Sequence, residues 1–362
     1  MPVVTHAKDI MAAVEQLAPS ALAEGWDNSG LQVGDPAAGA SRVLVALTPL
    51  PEVFKEAEET GADFLLLHHP LIFSPLKSVD TGSYPGELLA RAISGNLTVY
   101  ATHTSYDAAP EGVSAALAAA VGLSGPLEVV SPRGTLRKLV VFVPREDAEA
   151  VAEALAGAGA GRIGDYTRCT FRSPGTGTFL PGEGSDPYLG ERGRLERVDE
   201  VRLETVVPAH LARAAVDAAS AAHPYEEVAL DVYPLEGHPE DCGYGRVGTL
   251  PEPLSPEELA THGSRSLGFP ARLVSEGNRE SIQRVAVLGG SGGSFIPEVA
   301  ASGADAYVTG DLDYHDALRA ESFGLAAVDA GHAATELPSL EPLAHRLAEL
   351  VDVPVGVSRV RR

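Results

Sequence analysis

The sequence predicts an α/β protein in which two related α/β halves form one core domain and a ferredoxin-like α+β segment is inserted between them. Three observations carry this. Short apolar runs alternate with Ala/Glu-rich stretches along nearly the whole chain, the pattern of strand and helix units. The segment beginning at Arg42 has an echo at an offset of 242: Arg42-Val43 maps onto Arg284-Val285, Val45 onto Val287, Glu56 onto Glu298, and Gly61-Ala62-Asp63 onto Gly303-Ala304-Asp305. Between the halves, Leu139 to Pro144 repeats as Leu203 to Pro208 at an offset of 64, each followed by an Ala-rich helical stretch and a further strand. Two such units make a compact α+β module.

In chain order, Met1 to Pro19 places Ile10, Met11, Val14 and Leu17 at helical spacing among charged residues, which predicts an amphipathic helix rather than a signal peptide. Arg42 to Leu47 is a strand, Pro51 to Thr60 a helix, and Asp63 to Leu67 a second strand. Glu56, Glu58 and Glu59 read as the solvated face of that helix. Thr98 to His103 is a third strand, paralleled in the second half by Ala326 to His332. The core is expected at 1–134 and 238–362, and the insert at 137–235. Within the insert, the Gly/Pro-rich stretch Ser173 to Gly193 reads as an extended loop, and His210 and His223 stand without a cluster of carboxylates. In the second half, strand Val285 to Leu288 leads through Gly289-Gly-Ser-Gly-Gly293 to a helix near Pro297.

With 27 Lys+Arg against 50 Asp+Glu, the net charge of −23 disfavours a nucleic-acid or anionic-membrane binder. Cys169 and Cys242 form no zinc-type spacing and cannot frame a small disulfide fold, which fits a reducing compartment. No apolar run approaches the length of a membrane span, so the expected location is the cytoplasm.

Chemistry is expected at strand ends, where ligands bind in open α/β sheets. His68 and His69 follow a buried-type strand, and Pro70 stops it. Adjacent residues on extended backbone point opposite ways, so the pair addresses two ions, two sides of one site, or simply the backbone. His103 leads Asp107 by four, and His332 leads Glu336 by four, each after a strand. Together the three groups point to a metal site between the halves. Imidazoles and carboxylates without thiolates suit zinc, iron or manganese, and a pair of ions needs a bridging carboxylate. The turn at Trp26, Asp27 and Asn28 is either structural or in contact with substrate. Gly290, Ser291 and Gly292 either cradle a phosphate or permit close backbone approach, and His315 either lines the pocket or caps a helix in solvent.

Trp26-Asp-Asn-Ser-Gly-Leu-Gln-Val-Gly34, His68-His-Pro-Leu-Ile-Phe73, Thr102-His-Thr-Ser-Tyr-Asp107, Gly289 to Gly293, Thr309-Gly-Asp-Leu-Asp-Tyr-His315 and Gly331-His-Ala-Ala-Thr-Glu336 resemble the dinuclear-metal-centre family known as GTP cyclohydrolase 1 type 2. The resemblance covers both halves, and the insert is similar to that of the long members, whose fold is like the PII and CutA proteins. It implies His68, His69, Asp107, His332 and Glu336 as ligands of two divalent ions, Glu336 as the bridge, and His103 as a proton shuttle beside them. Asp311 stands where some members have Glu, so a polar contact there is shorter in reach. The resemblance also implies a homohexamer built as a trimer of dimers.

The function expected is a metal-dependent hydrolase whose activated water attacks guanine C8 of a nucleotide, or a phosphoester. The competing reading is a non-catalytic metal-responsive regulator or metal-trafficking protein.

Overall fold

The computed structural model describes residues 5–133, 135–164, 166–239 and 241–362. The chain divides into two compact units, Met1–Arg133 with Asp241–Arg362, and Gly134–Glu240.

The first unit holds two sheets of related topology. One runs Gly30–Val33, Thr98–Ala101, Phe64–Leu67, Val43–Ala46, Val355–Val357; the other runs Arg272–Ser275, Ala326–Asp329, Ala306–Gly310, Ile282–Ser291, Gly243–Leu254, Ser124–Pro132. In each, three parallel strands follow one another and an antiparallel strand flanks the third. The flanking strands begin at Gly30 and Arg272, so the sequence offset of 242 extends to them. A small clasp is also duplicated: Asp63 accepts from the backbone N–H of Ser41 and Arg42, and Asp305 from that of Gln283 and Arg284.

Both faces of these parallel strands are covered, which is why they read as unbroken apolar runs. Val43 and Val45 pack with Ile10, Val14 and Leu343 on one side; Leu44 and Ala46 pack with Val53, Phe54 and Leu88 on the other. Helix Ala7–Leu17 supplies its stripe as its periodicity predicts, burying Ile10, Val14 and Leu17, and Asp9 caps it by accepting from the His6 N–H. All four residues of Phe64–Leu67 are fully buried. Each contributes about 1.5–3 kcal/mol, against at most about 1 kcal/mol for an exposed ion pair. Packing therefore holds the strand that carries His68 and His69.

Three expectations change. Glu56 is buried, not solvated: its carboxylate accepts from Ser358 Oγ at 2.6 Å and from the backbone N–H and Nε of Arg359, tying the C-terminal residues to helix Pro51–Thr60. Glu58 and Glu59 do face solvent, with Glu58 paired to Arg91. The strand expected at Val285 to Leu288 runs on to Ser291, so the first glycines continue the sheet and only Gly293–Phe295 turns. In the second unit, the supposed loop begins as an edge strand, Phe171–Phe179. Pro174 donates no ladder hydrogen bond, and an edge position tolerates that.

That second unit is a four-stranded antiparallel sheet in the order Phe171–Phe179, Glu196–Pro208, Thr135–Pro144, Leu230–Pro239. With helices Ala148–Gly157 and Ala212–Ala222 its connectivity is β-α-β-β-α-β, and both helices close over a core that includes Val141, Val151, Leu203 and Ala219. His223 is buried, its Nε2 3.0 Å from the Phe142 carbonyl, whereas the side chain of His210 lies outside the described residues. Among the described residues no helix is long and apolar enough to cross a membrane.

Candidate metal centre

The two His-and-carboxylate pairs rest on the same local device. A buried strand ends and a five-residue helix follows, His103–Asp107 after Thr98–Ala101 and His332–Glu336 after Ala326–Asp329. Residues four apart share a helix face, and in the second pair this sets His332 Nε2 3.2 Å from Glu336 Oε1. His68 and His69 sit at the end of the parallel strand beside Thr98–Ala101, and the His103 N–H donates to the His68 carbonyl at 2.9 Å.

Glu336 occupies the middle of the cluster. Its Oε1 lies 3.5 Å from His68 Nε2 and 3.2 Å from His332 Nε2, and its Oε2 lies 3.1 Å from His69 Nε2. Asp107 Oδ1 stands 3.5 Å from His68 Nε2. The ligand atoms of His68, His69 and Glu336 all lie within 4.8 Å of one another. Thr48 Oγ1 is 3.1 Å from His69 Nδ1, and Asp311 Oδ2 is 2.7 Å from His332 Nδ1. A carboxylate only accepts, so the His332 Nδ1 carries the proton and Nε2 is left facing Glu336.

Both ring nitrogens of His68, Asp107 Oδ1 and Glu336 Oε2 are buried without a hydrogen-bond partner among the described residues. Orphaned buried polar atoms are costly, on the order of 1–3 kcal/mol each, and more when charged. Three of them, one on each side chain, are what a cation would satisfy, since an imidazole ligates through one nitrogen. The charges agree. Burial, opposed by His68 but joined by the Glu336 charge, pushes the Asp107 carboxyl up to about 6. Burial also opposes the charge of Glu336, but His68, His332 and His69 outweigh it and hold the group well below the usual range. The Glu336 carboxylate, against some burial and with help from Asp311, raises His332 to about 9. Imidazole and carboxylate donors without thiolate fit a borderline or hard divalent ion.

His103 is near the cluster but turned elsewhere. Its ring is 5.7 Å from that of His68 and 5.9 Å from that of His69, centroid to centroid, and its Nδ1–H donates to Asp27 Oδ1 at 2.6 Å. Asp27 Oδ2 accepts in turn from Ser29 Oγ at 2.6 Å and Thr104 Oγ1 at 2.5 Å. Although burial opposes its charge, these bonds keep the Asp27 carboxyl strongly depressed. Desolvation of His103 is outweighed by Asp27 and by the more distant Asp107 and Glu336, so its pKa is raised. Its backbone stands at φ +34°, and that of Asp311 at +55°, both in the region that L-residues seldom adopt. Strained positions of this kind gather at functional sites.

The remaining sequence candidates divide. Trp26 is exposed and sits 6.1 Å from the ring of His103, with Phe73 at 6.0 Å from the same ring. Asn28 donates to the Ile72 carbonyl, bracing that corner. Gly290 stands at φ +73°, where a Cβ would come within 2.6 Å of Glu336 Oε1, so glycine lets the strand pass close to the central carboxylate. The N–H groups of Gly290 and Gly292 already donate to Thr335 Oγ1 and the Gly310 carbonyl, and Ser291 pairs with Gly310 in the sheet. His315 is exposed on the first turn of Tyr314–Ser322 against Tyr314, and it does not join the cluster. Sequence reasoning missed the link from Asp27 to His103, 76 residues apart, and the one from Asp311 to His332; the turn motif and the Gly310-Asp311 motif were the available signals.

The chain is similar to known proteins over most of its length. Proteins named GTP cyclohydrolase 1 type 2 homolog are 42% identical in Bacillus subtilis, over 92% of this chain and 89% of that protein, and 40% identical in Mycobacterium tuberculosis, over 91% and 88%. The crystal structure of a Bacillus cereus protein related to NIF3 superposes with a TM-score of 0.86 at 41% identity, covering 99% of this chain and 98% of that one. The family described as Duf34/NIF3 (NGG1p interacting factor 3) matches residues 5–362, and the chain belongs to it.

Proposed function

We propose that this centre binds divalent metal, two ions per chain, and that the protein is a metal-dependent hydrolase acting on a nucleotide, at guanine C8, or on a phosphoester. The observation that carries the metal is the set of unpartnered buried atoms on His68, Asp107 and Glu336. His69 and His332 complete the ligand set, with Glu336, which faces three imidazoles, as the bridge. Hydrolysis is supported by the names of the relatives. Bound ions would supply Lewis-acid polarisation and lower the pKa of a water from 15.7 toward about 7.

The chain itself supplies proton transfer. Asp27 fixes the tautomer of His103 with the proton on Nδ1, which leaves Nε2 to take up or return a proton beside the cluster. Trp26 and Phe73 stand over the same ring, an apolar edge for a flat substrate. Assembly as a cytoplasmic homohexamer, a PII/CutA-like role for the insert, and the absence of nucleic-acid and membrane partners belong to the same reading. A compact insert with its own core favours a second reading, a non-catalytic metal-responsive regulator.

The test is metal analysis with a panel of nucleotides and phosphoesters. Turnover abolished by chelation and restored by one metal supports the hydrolase; metal binding without any turnover favours the regulator. Glu336→Ala is expected to lose more than half of the bound metal, and full retention would remove the bridge. Light scattering at micromolar concentration tests the hexamer.

A further inference from the structure

We propose that the insert holds a ligand site of its own, unconnected with the metal centre, for an organic ammonium with an aromatic or apolar body. A cavity of about 460 Å³ lies wholly within Gly134–Glu240. Small-molecule pockets run from about 300 to 1,000 Å³.

Strand alternation builds its floor. Val141, Val143, Val201 and Leu203 face the helices, so Phe142 and Glu200 point to the opposite side of the sheet, where residues 180–189 cover them. Phe142, Phe179, Tyr188 and Tyr225 supply aromatic walls, with Tyr225 5.8 Å from Phe179 and 6.3 Å from Tyr188 between ring centroids. Glu200 is only 8% exposed. The Tyr225 hydroxyl donates to its Oε1 at 3.1 Å, and among the described residues no Lys or Arg forms an ion pair with it. Its Oε2 lies over Gly177, where a Cβ would come within 2.1 Å, so glycine makes the seat for the carboxylate.

A carboxylate withdrawn from water and short of a cation, ringed by aromatic faces, matches an ammonium group on both counts. Exposed Glu226 and Glu227 at the rim add negative potential, and no Lys or Arg lines the cavity among the described residues. Those charges attract amines and repel nucleotides and other anions. The ligand is therefore distinct from the substrate proposed for the metal centre.

The experiment is titration calorimetry of the full chain with tryptamine, and with indole-3-propionate as a probe of the same ring and opposite charge. Tryptamine is expected to bind with a Kd of about 1 mM or tighter, and indole-3-propionate not to bind. Glu200→Gln is expected to weaken tryptamine at least about tenfold. Tyr188→Ala, in the exposed covering segment, is expected to weaken it severalfold, and it decides the matter if Glu200→Gln is misfolded by circular dichroism. Absence of tryptamine binding, equal binding of the two probes, or unchanged affinity in the folded variants overturns the proposal.

Discussion

Asp311 Oδ2 lies 2.7 Å from His332 Nδ1, and Asp311 holds that position with its backbone in the left-handed region, at φ +55°. The contact aims His332 Nε2 at Glu336. Partners of this kind are typically worth 10–100-fold in metal affinity. Asparagine tolerates the same backbone, so Asp311→Asn is expected to fold normally and to bind zinc about 10–100-fold more weakly in a chelator competition. Wild-type affinity in that variant would make the contact incidental.

The raised pKa of His332 has a definite pH signature. Its value of about 9 exceeds the ordinary 6.5, so in the metal-free protein its contribution to stability is fully present below about 6.5 and is lost as pH rises through about 9. His103 acts in the same direction. Melting curves in chelator are expected to show Tm falling across that window, less steeply in His332→Gln. Metal affinity runs the other way, since ligation requires neutral imidazole, and rises with pH over the same interval.

Turnover separates the shuttle from the ligands. His103→Ala is expected to keep its metal while kcat falls by about 10²–10⁴, and Asp27→Asn is expected to reproduce part of that loss. His69→Ala is expected to lose metal and activity together. If His103→Ala strips the metal as fully as His69→Ala, then His103 is a ligand and the halves are functionally symmetric.

The insert is expected to be removable. The Arg133 N–H donates to the Cys242 carbonyl at 2.9 Å, so the two chain ends of the core are adjacent. Joining residue 133 to 241 through a short Gly/Ser linker is expected to give a soluble protein with unchanged metal content. An insoluble or metal-free product would mean that the units depend on each other.

Glu56 offers a stability test remote from the chemistry. Hydrogen bonds from Ser358 and Arg359 outweigh burial and keep its carboxyl below the usual range, so its contribution is present above about 4.5 and is lost as pH falls. Glu56→Ala leaves the buried Ser358 O–H without its acceptor, though its oxygen still accepts from the Val360 N–H, and is expected to cost about 1–3 kcal/mol in urea unfolding at pH 7. The deficit is expected to shrink as pH falls below about 4.5, whereas a deficit unchanged down to acid unfolding would rule out the ionised network.

Local patterns in the sequence determined a good deal. Apolar runs with both faces covered marked the parallel strands, helical spacing marked Ala7–Leu17 and Pro51–Thr60, and the offset of 242 exposed the duplication down to the Asp63 and Asp305 clasps. It also named His68, His69 and Glu336, because strand ends and residues four apart on a helix are properties of short segments. Only the tertiary structure decided the partners. Glu56 looks like surface until the C-terminal strand Val355–Val357 returns beside Val43–Ala46 and brings Ser358 over it. Phe171–Phe179 looks like loop until Glu196–Pro208 pairs with it, because edge strands accept residues that propensity excludes. His103 and His332 look equivalent by repeat, yet one donates to Asp27 and the other to Asp311. A repeat preserves backbone placement, whereas the direction of a side chain depends on which group from a distant segment packs against it.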